Sequence, residues 1–97
     1  MPDFRDVDPR ELRLQGARLQ ADPYKLQIQI ARYGASTTGM PTLVVYEASD
    51  GVLVIYNGVT RATRIAKLAP GVPIRVEVIG RLKRAYATAL TIGDTLP

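Results

Sequence analysis

Apolar and polar positions change period along the chain, and the changes mark its elements. Residues 42–47 (TLVVYE) and 52–56 (VLVIY) are β-branched apolar runs. The tight-turn signal Ser49-Asp50-Gly51 lies between them, so they predict a hairpin of two largely buried strands. Tyr56 is expected to point inward with Val52 and Val54. Residues 74–79 (IRVEVI) alternate cleanly. Ile74, Val76 and Val78 fall on one face, and Arg75 and Glu77 on the other, as an expected surface charge pair on a half-exposed strand. In TRATRIAKLA the period lengthens: Ala62, Ile65, Ala66 and Ala69 recur at helical spacing and form an apolar stripe that Pro70-Gly71 terminates.

Other segments are less uniform. In YKLQIQIARY, Leu26, Ile28 and Ile30 alternate with Lys25, Gln27 and Gln29, which is strand-like. Asp22 as cap, Pro23 at the first helical position and Gly34 as a stop favour a helix over 22–33, and that is the expectation. Residues 7–14 read as a turn followed by a strand or edge segment, and 35–41 (ASTTGMP) as a polar loop. After Gly80 a helical turn is expected first, and the remainder to residue 97 carries no period.

Composition narrows the chemistry. The 97 residues are 46% hydrophobic and 23% charged, which suits one small globular domain and no second core. There is no His, Cys or Trp. Disulfides, thiolate or imidazole catalysis and Cys/His metal centres are therefore excluded, and no metal is indicated. No apolar run approaches the roughly 20 residues of a membrane span, and the N-terminus lacks the pattern of a signal peptide. Lys and Arg number 13 against 9 Asp and Glu, a net charge of +4. Residues 51–97 hold seven basic and two acidic side chains, so the excess lies in the second half. Ten of the 13 basic residues are Arg, whose planar fork matches phosphate.

The segment that carries chemistry is VLVIY-NG-VTRATRIAKLA. A helix N-terminus presents unpaired N–H groups and partial positive charge. Gly58 admits a close approach of backbone to ligand, and Asn57 and Thr60 could cap the helix or donate outward. Arg61, Arg64 and Lys67 fall on one helical face, away from the apolar stripe. Asn57, Gly58, Val59, Thr60, Arg61 and Arg64 are thus candidate phosphate- or nucleotide-binding residues. An ordinary capped helix with a solvated basic face accounts for the same spacing.

The order helix, Gly39-Met40-Pro41 loop, strand TLVVYE, turn Asp50-Gly51, strand, then Gly58-Val59-Thr60-Arg61 opening a helix resembles the fold shared by the ParB N-terminal domain and sulfiredoxin. The resemblance spans about residues 7–79. It implies an α+β domain with a small mixed sheet and two main helices, a core over about 7–79 and a tail over 80–97. It also implies phosphate contact at Gly58 and Arg61. Partition proteins carry Glu and Arg where this chain has Val59 and Thr60, and sulfiredoxin needs Cys and His at those places, so sulfiredoxin chemistry is excluded. The stretch NGVTRATRIAKLAPG, then VEVIG and TIGDTLP, is similar to domains at the C-terminal tips of secreted bacterial polymorphic toxins. That similarity implies a nuclease-type or nucleotide-directed effector acting in the bacterial cytoplasm, with an acidic immunity protein as partner.

The expected function is therefore phosphate binding, directed at a nucleotide or nucleic acid. The alternative is a non-catalytic module that docks protein or DNA through its basic half. No catalytic residue can be named, and no membrane partner is expected. The loop Ser36, Thr37, Thr38 and Gly39 would lie near the phosphate turn in the resembling fold, as further ligand contacts. Glu47 and Asp50 flank the hairpin turn, and turn chemistry alone explains Asp50.

Overall fold

The computed structural model describes residues 1–16 and 20–96. Along the chain run β1 (Asp3–Val7), α1 (Pro23–Tyr33), β2 (Leu43–Glu47), β3 (Leu53–Asn57), α2 (Val59–Leu68) and β4 (Ile74–Arg81). Single turns of 3-10 helix occupy Pro9–Glu11 and Gly93–Thr95. The result is a small α+β domain: a four-stranded mixed sheet with two helices.

The capping residues decide α1 against its strand-like alternation. Asp22 stays extended and its carboxylate accepts from the N–H groups of Tyr24 at 2.8 Å and Lys25 at 3.3 Å. At the other end Gly34 takes φ +55° and donates its N–H to Ile30 at 2.9 Å. Leu26 is buried and Ile28 is exposed, as helical rather than strand geometry demands.

The sheet order is β1-β4-β2-β3. β4 is antiparallel to β1 and parallel to β2, and β2 is antiparallel to β3. The hairpin and the alternation of β4 follow the sequence pattern. Leu43 lies beside Val76 and Val45 beside Val78, and these face the core with Ile55, Ile65, Ala62 and Ala66. β1 is an additional strand upstream of the segment in which the pattern suggested one. Its sequence DFRDV is mostly charged, as suits an edge strand that discourages pairing with another chain.

Three local expectations are corrected. Ile55, not Tyr56, takes the core position opposite Val45, so Tyr56 points the other way. Tyr56 is 59% exposed and meets Tyr46 edge-on, ring centroids 5.4 Å apart. A continuous apolar run such as VLVIY does not reveal which parity faces inward. Arg75 pairs with Asp6 on β1 at 3.4 Å rather than with Glu77, because β1 lies directly alongside. No helical turn follows Gly80: β4 continues to Arg81, and the chain then bends back over the hairpin.

That returning segment belongs to the core. Ile92 is fully buried against Leu12 and Leu14. Arg13 bridges β3 on one side and Thr91 on the other. Its N–H donates to Leu53 and its carbonyl accepts from Ile55, each at 2.9 Å. The backbone edge of β3 is thereby covered. Asp50, in the hairpin turn, accepts from the N–H groups of Tyr86 at 3.1 Å and Ala87 at 2.7 Å. Burial opposes its ionisation, but these N–H groups and those of its own turn outweigh that and hold the carboxyl below the usual carboxylate range.

Candidate functional site

α2 begins without a side-chain cap. Gly58 is its first flanking residue, at φ +105°, and neither Asn57 nor Thr60 closes a capping bond. The first-turn N–H groups of α2 are therefore left for solvent or a ligand. Gly58 is obligatory for a second reason. A Cβ there would overlap Leu43 Cδ2 of the core and approach Arg61 Nη2 to 2.9 Å. The turn is thus packed close to both Leu43 of β2 and the Arg61 guanidinium.

Two adjoining cavities open beside this turn. One, of about 390 Å³, is lined by Asn57, Gly58, Thr60 and Arg61 with Gln29 and Tyr56. Val59 also borders it and packs its side chain toward the core. The other, of about 240 Å³, lies between α1 and the 35–41 loop and is lined by Tyr33, Ser36, Thr38, Met40, Arg61 and Arg64. Gln29 and Arg61 are common to both, so the two form one cleft between the helices.

Arg64 corrects the expectation of a solvated basic face. It is 2% exposed, whereas Lys67 on the next turn is exposed. Its Nη1 donates to the carbonyls of Gly34 at 2.6 Å and Ser36 at 2.8 Å. Its Nη2 faces Met40 Sδ at 3.4 Å, and its guanidinium stands 5.4 Å from the centre of the Tyr33 ring. Three-residue spacing places Arg61 and Arg64 on one helix face, but the Gly34 turn and the loop close over only the second of them. The Nε of Arg64 is buried without an acceptor, and the Oε1 of Gln29 on the same cavity wall is buried without a donor.

Among the described residues no carboxylate pairs with Arg64. Every carboxylate ion pair among the described residues involves Arg5, Arg10, Arg75 or Arg81. Burial pulls the Arg64 pKa down from its ordinary value, with Tyr33 opposing. Arginine nonetheless stays charged under ordinary conditions. A buried, hydrogen-bonded guanidinium with no counter-charge, beside a second unpaired Arg61, makes the cleft electropositive.

The remaining predicted residues divide. Ser36, Thr38 and Gly39 line the smaller cavity, and the Ser36 hydroxyl accepts from Thr38 N–H at 3.2 Å. Thr37 turns away to a different depression beside Pro73 and Arg75. Glu47 binds Arg5 at 3.2 Å and Arg81 at 3.7 Å, and Asp50 holds the returning segment. Among the described residues, no group of three or more Asp or Glu gathers where it could hold a metal ion. Gln29, Tyr33, Met40 and Tyr56 are wall residues that sequence reasoning did not select. Gln29 and Tyr33 stand one turn apart on α1, a spacing that could have marked them once α1 was known to face α2. No helix is long and apolar enough to cross a membrane among the described residues. Comparison of the chain with family models, curated proteins and solved structures found no match.

Proposed function

We propose that this domain binds phosphate groups of a nucleotide or nucleic acid in the cleft between α1 and α2. The observation that carries the reading is Arg64: a buried cation with no carboxylate partner, in the wall of a cavity shared with unpaired Arg61. Such a charge is costly to bury, and an anion entering the cleft offsets that cost. The uncapped N-terminus of α2 adds N–H donors to the same cleft, and Ser36 and Thr38 add hydroxyls. Arg61 is the principal movable charge ligand. Arg64, fixed by two carbonyls, sets the electrostatic floor.

The order of helices and strands, and the Gly58–Arg61 turn opening α2, support assignment to the ParB/sulfiredoxin type of fold. Similarity to toxin tip domains further suggests an effector acting in the bacterial cytoplasm. Thermal unfolding with inorganic pyrophosphate and with nucleoside triphosphates tests the central claim. At a ligand concentration a hundredfold above Kd, binding stabilises by about 2.7 kcal/mol. Arg61→Ala is expected to remove the shift. If no phosphate compound raises Tm, the cleft is not a phosphate site. Salt-sensitive capture of an acidic protein in its place would favour an interaction module.

A further inference from the structure

The cleft does not stop at the two cavities. A third, of about 250 Å³, continues along α1 and is lined by Lys25, Ile28, Gln29, Arg32, Tyr33 and Thr60. It shares Gln29 and Tyr33 with the smaller cavity, and Gln29 and Thr60 with the larger. The three form one continuous groove across both helices. Its walls hold four cations, Lys25, Arg32, Arg61 and Arg64, and no Asp or Glu among the described residues. Elsewhere Arg5 pairs with Asp3 and Glu47, Arg10 with Asp8, Arg75 with Asp6 and Arg81 with Glu47, while Lys67, Lys83 and Arg84 make no ion pair among the described residues. Four cations lining one groove with no acid contrast with the β1 side of the molecule, where Arg5, Arg10 and Arg75 each face a carboxylate.

We infer that, if the cleft is a phosphate site as proposed above, its ligand is a single strand of nucleic acid rather than a free mononucleotide. Lys25 and Arg32 are seven residues apart on α1, about 10 Å along the helix axis. That exceeds the rise of about 3.4 Å between successive nucleotides of a stacked strand, so the two cations meet different phosphates of one chain. One nucleotide seated at Arg61 and Arg64 leaves Lys25 and Arg32 without a phosphate. Tyr33 and Tyr56 line the same groove, 52% and 59% exposed, Tyr33 with Arg64 near its ring and Tyr56 edge-on to Tyr46. Exposed rings at such positions stack on bases, and a duplex keeps its base faces hidden. A groove combining backbone-tracking cations with partly exposed aromatic rings therefore fits an unpaired strand.

The strand arm of the test uses fluorescence anisotropy of a labelled short oligothymidylate at several salt concentrations. Thymidine triphosphate and a duplex of the same length serve as competitors. Three to four phosphate contacts give a slope of log K against log salt of about −2 to −3. The double variant Lys25→Ala/Arg32→Ala alters only exposed side chains. It is expected to flatten the slope by about 1.4 and weaken the oligonucleotide at least fivefold, by loss of two contacts. Thymidine triphosphate affinity should change less than twofold. If the double variant leaves oligonucleotide binding and its slope intact, or if the triphosphate or duplex binds as tightly as the strand, the strand inference is overturned while phosphate binding stands. If neither the strand nor the triphosphate binds, both readings fall.

Discussion

Gly58→Ala tests how the cleft is built. The new Cβ meets two obstacles that arise separately. The first is conformational: at φ +105° an L side chain is strained, at about 1–2 kcal/mol. The second is steric. Leu43 is fully buried, so its Cδ2 cannot simply swing into solvent, and forcing a methyl against it is an overpacking change of about 1–3 kcal/mol. Together they give about 2–5 kcal/mol, a Tm loss of roughly 10–30 °C for a domain of this size. Gly51→Ala is the matched control. Gly51 has φ +86° but nothing within 4 Å of its would-be Cβ, so it carries the conformational cost alone, about 1–2 kcal/mol. Urea denaturation of both variants measures the difference directly, since a change in midpoint at constant slope is a change in stability. The Gly58 variant should also bind phosphate more weakly, because the added methyl displaces the Arg61 guanidinium. If Gly58→Ala costs no more than Gly51→Ala, the close packing of the turn on Leu43 is refuted, and with it the placement of Arg61.

Further outcomes follow from the buried arginine and the returning segment. Arg64→Met replaces a desolvated charge with a side chain of similar length. The Ser36 carbonyl lies on an exposed residue where water can replace the lost donor. Stability should therefore stay within about 1 kcal/mol of the parent while phosphate binding is lost; a loss above about 3 kcal/mol in denaturant titration would show that Arg64 is a structural clamp. The Asp50 and Asp94 carboxyls both lie below their ordinary values, Asp94 through bonds from the Thr91 backbone and hydroxyl and Asp50 through N–H donors that outweigh burial. Their contribution is complete above the unfolded value of about 4 and is lost as pH falls through the lower folded values. Amide exchange at Tyr86 and Ala87 should accelerate as pH drops below about 4, relative to the intrinsic rate, and Asp50→Ala should show the same loss of protection at neutral pH. Unchanged protection in that variant would remove Asp50 from the role of latch.

The regular elements were legible because their signals are local. Asp22-Pro23 and Gly34 define α1 within the segment itself, and the hairpin follows from two apolar runs around Ser49-Asp50-Gly51. What was not legible depends on contacts made far along the chain. Arg64 reads as solvent-facing from its helix alone; only the Gly34 turn and Ser36 carbonyl, about thirty residues upstream, enclose it. Tyr56 and Ile55 are adjacent apolar residues, and tertiary pairing with Val45 decides which is inside. β1 offers no apolar run at all and exists because β4 has an open edge beside it. The Gly58 turn was identifiable as a candidate from its sequence. Its larger wall, from Gln29, Tyr33 and Met40, required the packing of α1 against α2.

The place of β4 in the sheet has a consequence for the order in which the molecule can assemble. It is the last strand to be synthesised, yet it lies between β1 and β2. β1 pairs with no other strand, and the Asp3–Val78 pairing joins residues 75 positions apart. Until residue 81 has left the ribosome, the first strand has nothing to pair with and the β2–β3 hairpin has an open edge. Completion of the sheet is therefore a late step that depends on long-range closure, the kind of contact that forms slowly. A nascent or truncated chain ending before β4 would present unpaired strand edges, the surface on which aggregation begins.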